Sequence, residues 1–241
     1  MGDTPPVHLE DRVQAPIEPA RQCLREAFFH DIAGLTLGLV AGRRWRLQLG
    51  PVTLLAFGEP AFDGRSWSWP ITGGVLAARP GGKLTYSWRE GELIGAVAGY
   101  FPRLPRLLYW AVQAPVHRLV TRRFLLQLRG RTPPPGVPAG PAQRLLTAGL
   151  DLVLCTGFTA LLRPRRPLLV AAAVTAVYHV GCWSCGGRTL GALLTGQRLV
   201  SVDGGRVALW QALIRLAALP AAAWKRRAVH DDAASTEVIE A

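Results

Sequence analysis

Two apolar runs separated by five residues constrain this chain more than any other feature. Leu145–Leu162 (LLTAGLDLVLCTGFTALL) holds one charge, Asp151, and residues 168–184 (LLVAAAVTAVYHVGCWS) hold no Asp, Glu, Lys or Arg. At about 1.5 Å per residue, about 17–20 residues just cover a hydrocarbon core of about 30 Å. Neither run has the polar face that a helix of a soluble protein needs. Joined by Arg163-Pro-Arg-Arg-Pro167, they read as a transmembrane hairpin. The competing reading is a pair of buried helices in a soluble protein.

A third stretch, Val207–Trp224 (VALWQALIRLAALPAAAW), carries Gln211 and Arg215 near its middle and Pro220 beyond them. An arginine at mid-bilayer costs roughly 2.5–3.5 kcal/mol on insertion scales, and proline ends or kinks a helix. This stretch either crosses with Arg215 turned inward against Asp151, or lies at the interface with Arg215 snorkelling. Arg122, Arg123, Arg129, Arg131 and Arg144 precede the first run, and Lys225–Arg227 follow the third. Keeping both groups on the inner side favours the interfacial or re-entrant form. The expected topology puts the amino-terminal unit and the carboxy-terminal tail in the cytoplasm and Arg163–Arg166 outside.

The chain has 28 Lys+Arg against 16 Asp+Glu, a formal charge of +12. Such an excess points to a polyanion, nucleic acid or an anionic lipid surface. A hydrophobic content of 49% favours lipid. Nucleic-acid binding is not expected, because the arginines flank apolar runs and form no patch with interleaved aromatics. MGDTPPVHLEDRV lacks the basic and apolar regions of a secretory signal, and Pro6 stands where a myristoylation signal wants Ser or Thr.

With 241 residues, two units are the reasonable expectation. TPPPGVPAGPA, residues 132–142, has five prolines and two glycines and reads as a semi-stiff spacer. The expected organisation is a soluble domain over 1–131, a Pro/Gly-rich linker over 132–143 and a membrane domain over 144–241. The first unit reads as α+β. Val7–Val13 alternates like a strand, and Ile17–Phe29 has helical spacing. Short β-like runs follow at Trp45–Leu49, Val52–Phe57, Ser66–Ile71, Lys83–Trp88 and Glu92–Val97. Leu104–Leu128 is helical, with a kink expected at Pro115.

VHLEDRVQAPIEPARQCL resembles the first strand and helix of START-like and polyketide-cyclase-like (SRPBCC) proteins, and the element order is similar to their helix-grip fold. The resemblance implies a sheet wrapped around a long final helix and an apolar cavity. Trp67, Trp69, Trp88, Tyr100 and Trp110 are the expected lining. An ordinary packed core is the other reading of those aromatics.

The second half carries further motifs. QRLLTAGLDLVL places Arg144 seven residues before Asp151, two helical turns apart on one face. GGRTLGALLTGQRLVSVDGGRVALWQALIR supplies a glycine-rich turn, an expected hairpin around Asp203-Gly204-Gly205, and a helix with Arg215. VHDDAASTEVI ends the chain with His230-Asp231 and a short β-like tail. This order, over residues 141–239, is similar to the RDD family of small bacterial membrane proteins, named for one arginine and two aspartates. The resemblance implies that Arg144 and Asp151 form the first-helix pair and that Asp231 is the aspartate of the terminal His-Asp motif. Ala192 stands where that family usually carries a lysine, and the tail lacks its usual basic residue and glycine.

An intramembrane carboxylate such as Asp151 is either an ion or proton site or a lock between helices. The structural reading bonds it to Arg215 or Arg144, and His179 is a further candidate partner. His179, Cys182 and Cys185 suggest a metal or redox site at first sight. A zinc site would need a fourth ligand, and a C-x-x-C pair at a helix carboxy end lacks the dipole that lowers a thiol pKa. Small apolar cysteines at a helix end are the favoured reading, so neither metal nor cofactor is expected. No P-loop, G-x-S-x-G or H-E-x-x-H motif is present, and no enzymatic activity is expected. The expected function is a membrane-anchored module binding an apolar ligand or partner, with ion transport as the alternative. Expected partners are membrane lipids and an apolar small molecule, with homo-oligomerisation left open.

Overall fold

A computed structural model describes residues 5–225 and 229–241. Met1–Thr4 and, from the basic cluster, Arg226 and Arg227 lie outside the described residues, as does the side chain of Cys23. The chain divides into two compact units, Met1–Gly130 and Arg131–Ala241.

Unit 1 opens with β1 (Val7–Gln14) and α1 (Arg21–Leu35). Then come β2 (Ala41–Arg43), β3 (Arg46–Leu49), β4 (Val52–Phe57), β5 (Ala61–Phe62), β6 (Ser66–Gly73), β7 (Lys83–Arg89) and β8 (Glu92–Tyr100). They form an antiparallel sheet in the order β1-β8-β7-β6-β4-β3-β2, with β5 paired to β6. Period-2 burial explains why β1 sits where it does. Val7, Leu9 and Val13 are buried between exposed neighbours, and Leu9 and Val13 pair with Val97 and Leu93 of β8. The first helix starts at Arg21, four residues later than the apolar spacing predicts. Pro19 biases the residue before it away from the helical region.

A helical stretch closes the unit: α2 (Arg106–Leu108), a π-helical turn (Tyr109–Gln113) and α3 (Ala114–Arg129). The π turn lies immediately ahead of Pro115, where an α-helix would drive the proline ring into the carbonyl of Ala111. Phe28 of α1 packs against Phe124 of α3 and Tyr86 of β7, with ring centroids 5.3 and 5.4 Å away. Both long helices therefore share one face of the sheet.

Unit 2 contains α4 (Pro141–Leu162), α5 (Pro167–Cys185), α6 (Leu190–Leu194), β9 (Gln197–Ser201), α7 (Leu209–Lys225), α8 (Val229–Ala234) and β10 (Thr236–Glu240). The first two helices are long and apolar enough to cross a membrane. The buried residues of α4 are Asp151, Cys155 and Thr159, while Leu145, Leu152, Val153, Phe158 and Leu161 are exposed. This apolar-outside arrangement inverts that of a water-soluble helix.

Three local expectations are corrected. The hairpin expected around Asp203-Gly204-Gly205 is a tight turn, with Gly204 at φ +81° and its N–H on Ser201 O at 2.8 Å. The chain then enters α7, and the partner of β9 is the tail strand β10, through pairs such as Leu199↔Val238. The Pro/Gly-rich segment does not hang free. Ala139 N–H donates to Val238 O and Glu240 N–H to Val137 O, both at 2.9 Å, so the segment edges β10. Finally, of the ending or kinking expected at Pro220, the ending does not occur: α7 runs on through it to Lys225.

Candidate functional site

Between α1, α3 and the sheet, unit 1 holds a cavity of about 120 Å³. Ile32, Leu55, Leu84, Val97 and Val120 supply aliphatic walls, and the polar groups on the lining come from Thr36, Tyr86, Tyr100, His117 and Thr121. Thr36 Oγ1 donates to Ile32 O at 2.7 Å. Tyr100 Oη donates to Leu76 O at 2.5 Å and accepts from Gln113 Nε2 at 2.9 Å. Burial pushes the Tyr100 hydroxyl up to about 12. His117 Nδ1 is buried without a hydrogen-bond partner, and burial pushes this imidazole down to about 4.

Of the five aromatics expected around a cavity, Tyr100 lines it. Trp69 is fully buried, with its ring 5.8 Å from Phe29 and 6.0 Å from Tyr86. Trp67 lies against Phe62 under the guanidinium of Arg25, and Trp88 Nε1 donates to Ala15 O at 2.8 Å. Trp110 is 41% exposed and lines a separate groove of about 360 Å³ with Arg106, Tyr109 and Pro102. Mostly aliphatic residues build the cavity because β4 gives it Leu54, Leu55 and Phe57, and β8 gives it Val97 beside Tyr100. His117 has a signal in the sequence. Tyr109, Gln113, His117 and Thr121 recur at i, i+4 spacing in an apolar helix, which puts a polar stripe on one face.

Exposed aliphatic side chains gather at one end of the sheet. Leu37 and Leu39 are 84% and 66% exposed in the turn after α1, flanked by the lining residues Thr36 and Val40. The register Ala41↔Gln48 and Leu49↔Val52 brings the exposed Leu49 and Val52 to the same end. Val75 joins them, its N–H bonded to Thr53 O at 3.0 Å.

In unit 2 the expected polar residues separate into two sites. At the first, fully buried Asp231 accepts from Arg144 Nη1 at 2.8 Å and is paired with Arg215. Arg144 also reaches Glu237 at 3.1 Å and the Ala139 and Val238 carbonyls. Arg215 Nη1 donates to Thr236 Oγ1 at 3.0 Å, and its guanidinium stands 5.1 Å from the Trp183 ring centroid. Arg131 pairs with Asp232 and Glu237. Burial, reinforced by Arg215 and Arg144, pushes His230 down to about 4. The network ties α4, α7, α8 and β10 together.

Asp151 belongs to the second site, and the pairing expected with Arg215 or Arg144 is not formed. Asp151 Oδ1 accepts from Tyr178 Oη at 2.7 Å and from Gly191 N–H at 2.9 Å. His179 Nε2 stands 3.9 Å from Oδ2. Tyr178 Oη in turn accepts from Leu190 N–H at 2.8 Å, and Thr189 Oγ1 takes Ala192 N–H at 3.1 Å. The three leading amides of α6 are thereby satisfied, which is what a buried helix amino terminus requires. A Cβ at Gly191 would stand 2.7 Å from Thr147 O and 2.9 Å from Asp151 Oδ1, so the glycine admits this approach. One turn along α4, buried Gln197 donates to Gln143 O and to Thr147 Oγ1 at 2.9 and 2.6 Å.

Cys155, Cys182 and Cys185 are free thiols, and among the described residues no group of His, Cys, Asp and Glu is arranged to hold a metal. His179 instead directs Nδ1 to Thr175 O at 2.9 Å.

A family model described as RDD family matches residues 164–224. The match spans α5, the capped α6, β9 and most of α7 with Arg215, and stops short of Arg144, Asp151 and Asp231. No curated protein and no solved structure matches the chain. The likeness to the RDD family and the two long apolar helices fit a membrane protein of unassigned activity.

Proposed function

We propose that this protein is a membrane-anchored binding module. Unit 1 takes an apolar ligand into its cavity, and unit 2 holds it to a bilayer through α4 and α5. One observation carries the reading: an aliphatic cavity lies beside an end of the sheet that exposes Leu37, Leu39, Leu49, Val52 and Val75. Clustered exposed aliphatics on a soluble surface mark a partner or a lipid surface. The strand and helix order of unit 1 supports a helix-grip, START-like assignment, in which such a cavity is the binding site. No Asp or Glu falls between Glu92 and Asp151, a span that contains the whole helical stretch and its arginines. That charge suits anionic lipid headgroups, at about 1 kcal/mol per basic residue near the surface.

In this reading the protein is not an enzyme, and α4 and α5 both cross. Unit 1 and β10 lie in the cytoplasm, and Arg163–Arg166 lie outside. Asp151 acts as a lock between α4, α5 and α6, because its carboxylate is engaged by Tyr178 and Gly191. That engagement favours the lock over an ion-transport role. Self-association is compatible with the reading and not required by it.

Cavity filling tests the proposal. Val120→Trp in the full-length protein should weaken retention of N-phenyl-1-naphthylamine by tenfold or more while leaving the circular dichroism spectrum unchanged. Unchanged retention in a folded variant contradicts it.

A further inference from the structure

We infer that the ligand of unit 1 is an uncharged amphiphile, an aliphatic or aromatic body carrying one hydroxyl that hydrogen-bonds to Nδ1 of His117. This rests on the binding reading above and narrows it to a chemical class. His117 lines the cavity, and its Nδ1 is buried with no partner in the protein. One helical turn away and outside the lining, Gln113 donates its amide to Tyr100 Oη at 2.9 Å, and its Oε1 is buried and unpartnered. A buried polar atom without a partner is costly, so a ligand group that meets it gains more than an ordinary hydrogen bond.

The class follows from what the lining holds. No Asp, Glu, Lys or Arg lines the cavity, so a charged headgroup would enter unpaired. The imidazole is neutral near pH 7, since burial pushes it down to about 4, and it offers no positive charge to a carboxylate or phosphate. In the neutral ring Nδ1 is either donor or acceptor according to the tautomer. A hydroxyl serves both, whereas a ketone or ether serves one. The remaining wall is mainly apolar, with Phe28 and Phe57 among aliphatic side chains and Thr36, Tyr86, Tyr100 and Thr121 as its other polar groups, and suits a largely apolar body.

The test uses octan-1-ol and nonane, two chains of equal heavy-atom count that differ in the hydroxyl. Binding to the full-length protein in nanodiscs is measured by equilibrium dialysis, with empty nanodiscs subtracted. The ratio of the two dissociation constants is compared between the native protein and His117→Phe, so that partitioning into lipid cancels. The hydroxyl preference should fall by roughly tenfold in the variant while nonane binding persists. His117→Gln, which keeps a hydrogen-bonding group, should retain most of the preference. His117→Leu replaces the phenylalanine variant if that one fails to fold. Equal ratios in native and variant protein overturn the inference and leave the apolar-cavity reading standing. Binding of neither probe to the native protein overturns the cavity reading itself.

Discussion

Asp151 and Tyr178, on two adjacent apolar helices, meet at 2.7 Å, and each also caps an amide of the short helix α6. Removing the carboxylate strands two donors, the Tyr178 hydroxyl and Gly191 N–H. Asp151→Leu should destabilise unit 2 by about 2–3 kcal/mol, and Asp151→Asn, which keeps an acceptor oxygen, by less. Chemical unfolding of the purified protein in detergent measures both. A neutral Asp151→Leu contradicts the capping role.

Because Tyr178 and Asp151 serve the same helix terminus, their losses should not add. The double variant Asp151→Leu, Tyr178→Phe should fall short of the summed single effects by 0.5 kcal/mol or more, about the lower bound for coupled contacts. Gly191→Ala offers a separate check. Its methyl would press on Thr147 O and Asp151, so it should destabilise the same unit, whereas an open site would tolerate it.

The Asp231 site predicts a different pattern. Asp231→Leu leaves Arg215 buried without its carboxylate and should cost about 3–5 kcal/mol. Adding Arg215→Met should recover a large part of that loss, as measured by chemical unfolding of the purified protein. No recovery would mean that Arg144, not Arg215, bears the cost.

His117 and His230 both have folded-state pKa values near 4, depressed from 6.5. The unfolded chain therefore binds more protons between those values. Stability conferred by the neutral rings is fully present above about pH 6.5, declines as pH falls toward 4, and changes no further below. His117 contributes up to about 3 kcal/mol to that decline, and the half-buried His230 less because solvent screens it. Tryptophan-fluorescence melts across this window should show it, and His117→Phe should remove its share of the slope.

The sequence made some of this legible and hid the rest, for physical reasons. β1 is readable because alternating burial writes a period of two, and β4 and β6 to β8 are readable as short β-rich runs mostly bounded by glycine or proline. The apolar lengths of α4 and α5 are readable by counting. The β9–β10 pairing joins segments more than thirty residues apart with no local turn between them, so nothing short-range encodes it. Asp151 is visible as a buried charge, but its partners are a backbone amide and a tyrosine, and a search for opposite charges passes over both. The tryptophans drew the cavity assignment by size, whereas the stripe Tyr109, Gln113, His117 was the better guide.

The topology can be read with a thiol-specific, membrane-impermeant label after the native cysteines are replaced. Arg165→Cys should label from outside intact cells and Ser235→Cys only after permeabilisation. Labelling of Arg165→Cys only after permeabilisation means that α4 and α5 do not form the proposed crossing pair, and labelling of both from outside means that α7 crosses as well.

The binding account is tested most directly by native mass spectrometry of the full-length protein released from its own membranes in mild detergent. It predicts a one-to-one adduct of an uncharged, hydroxyl-bearing apolar molecule, retained by the native protein and absent from Val120→Trp. An adduct that persists in the cavity-filled variant, or a native protein that carries none and takes up no apolar probe, contradicts it.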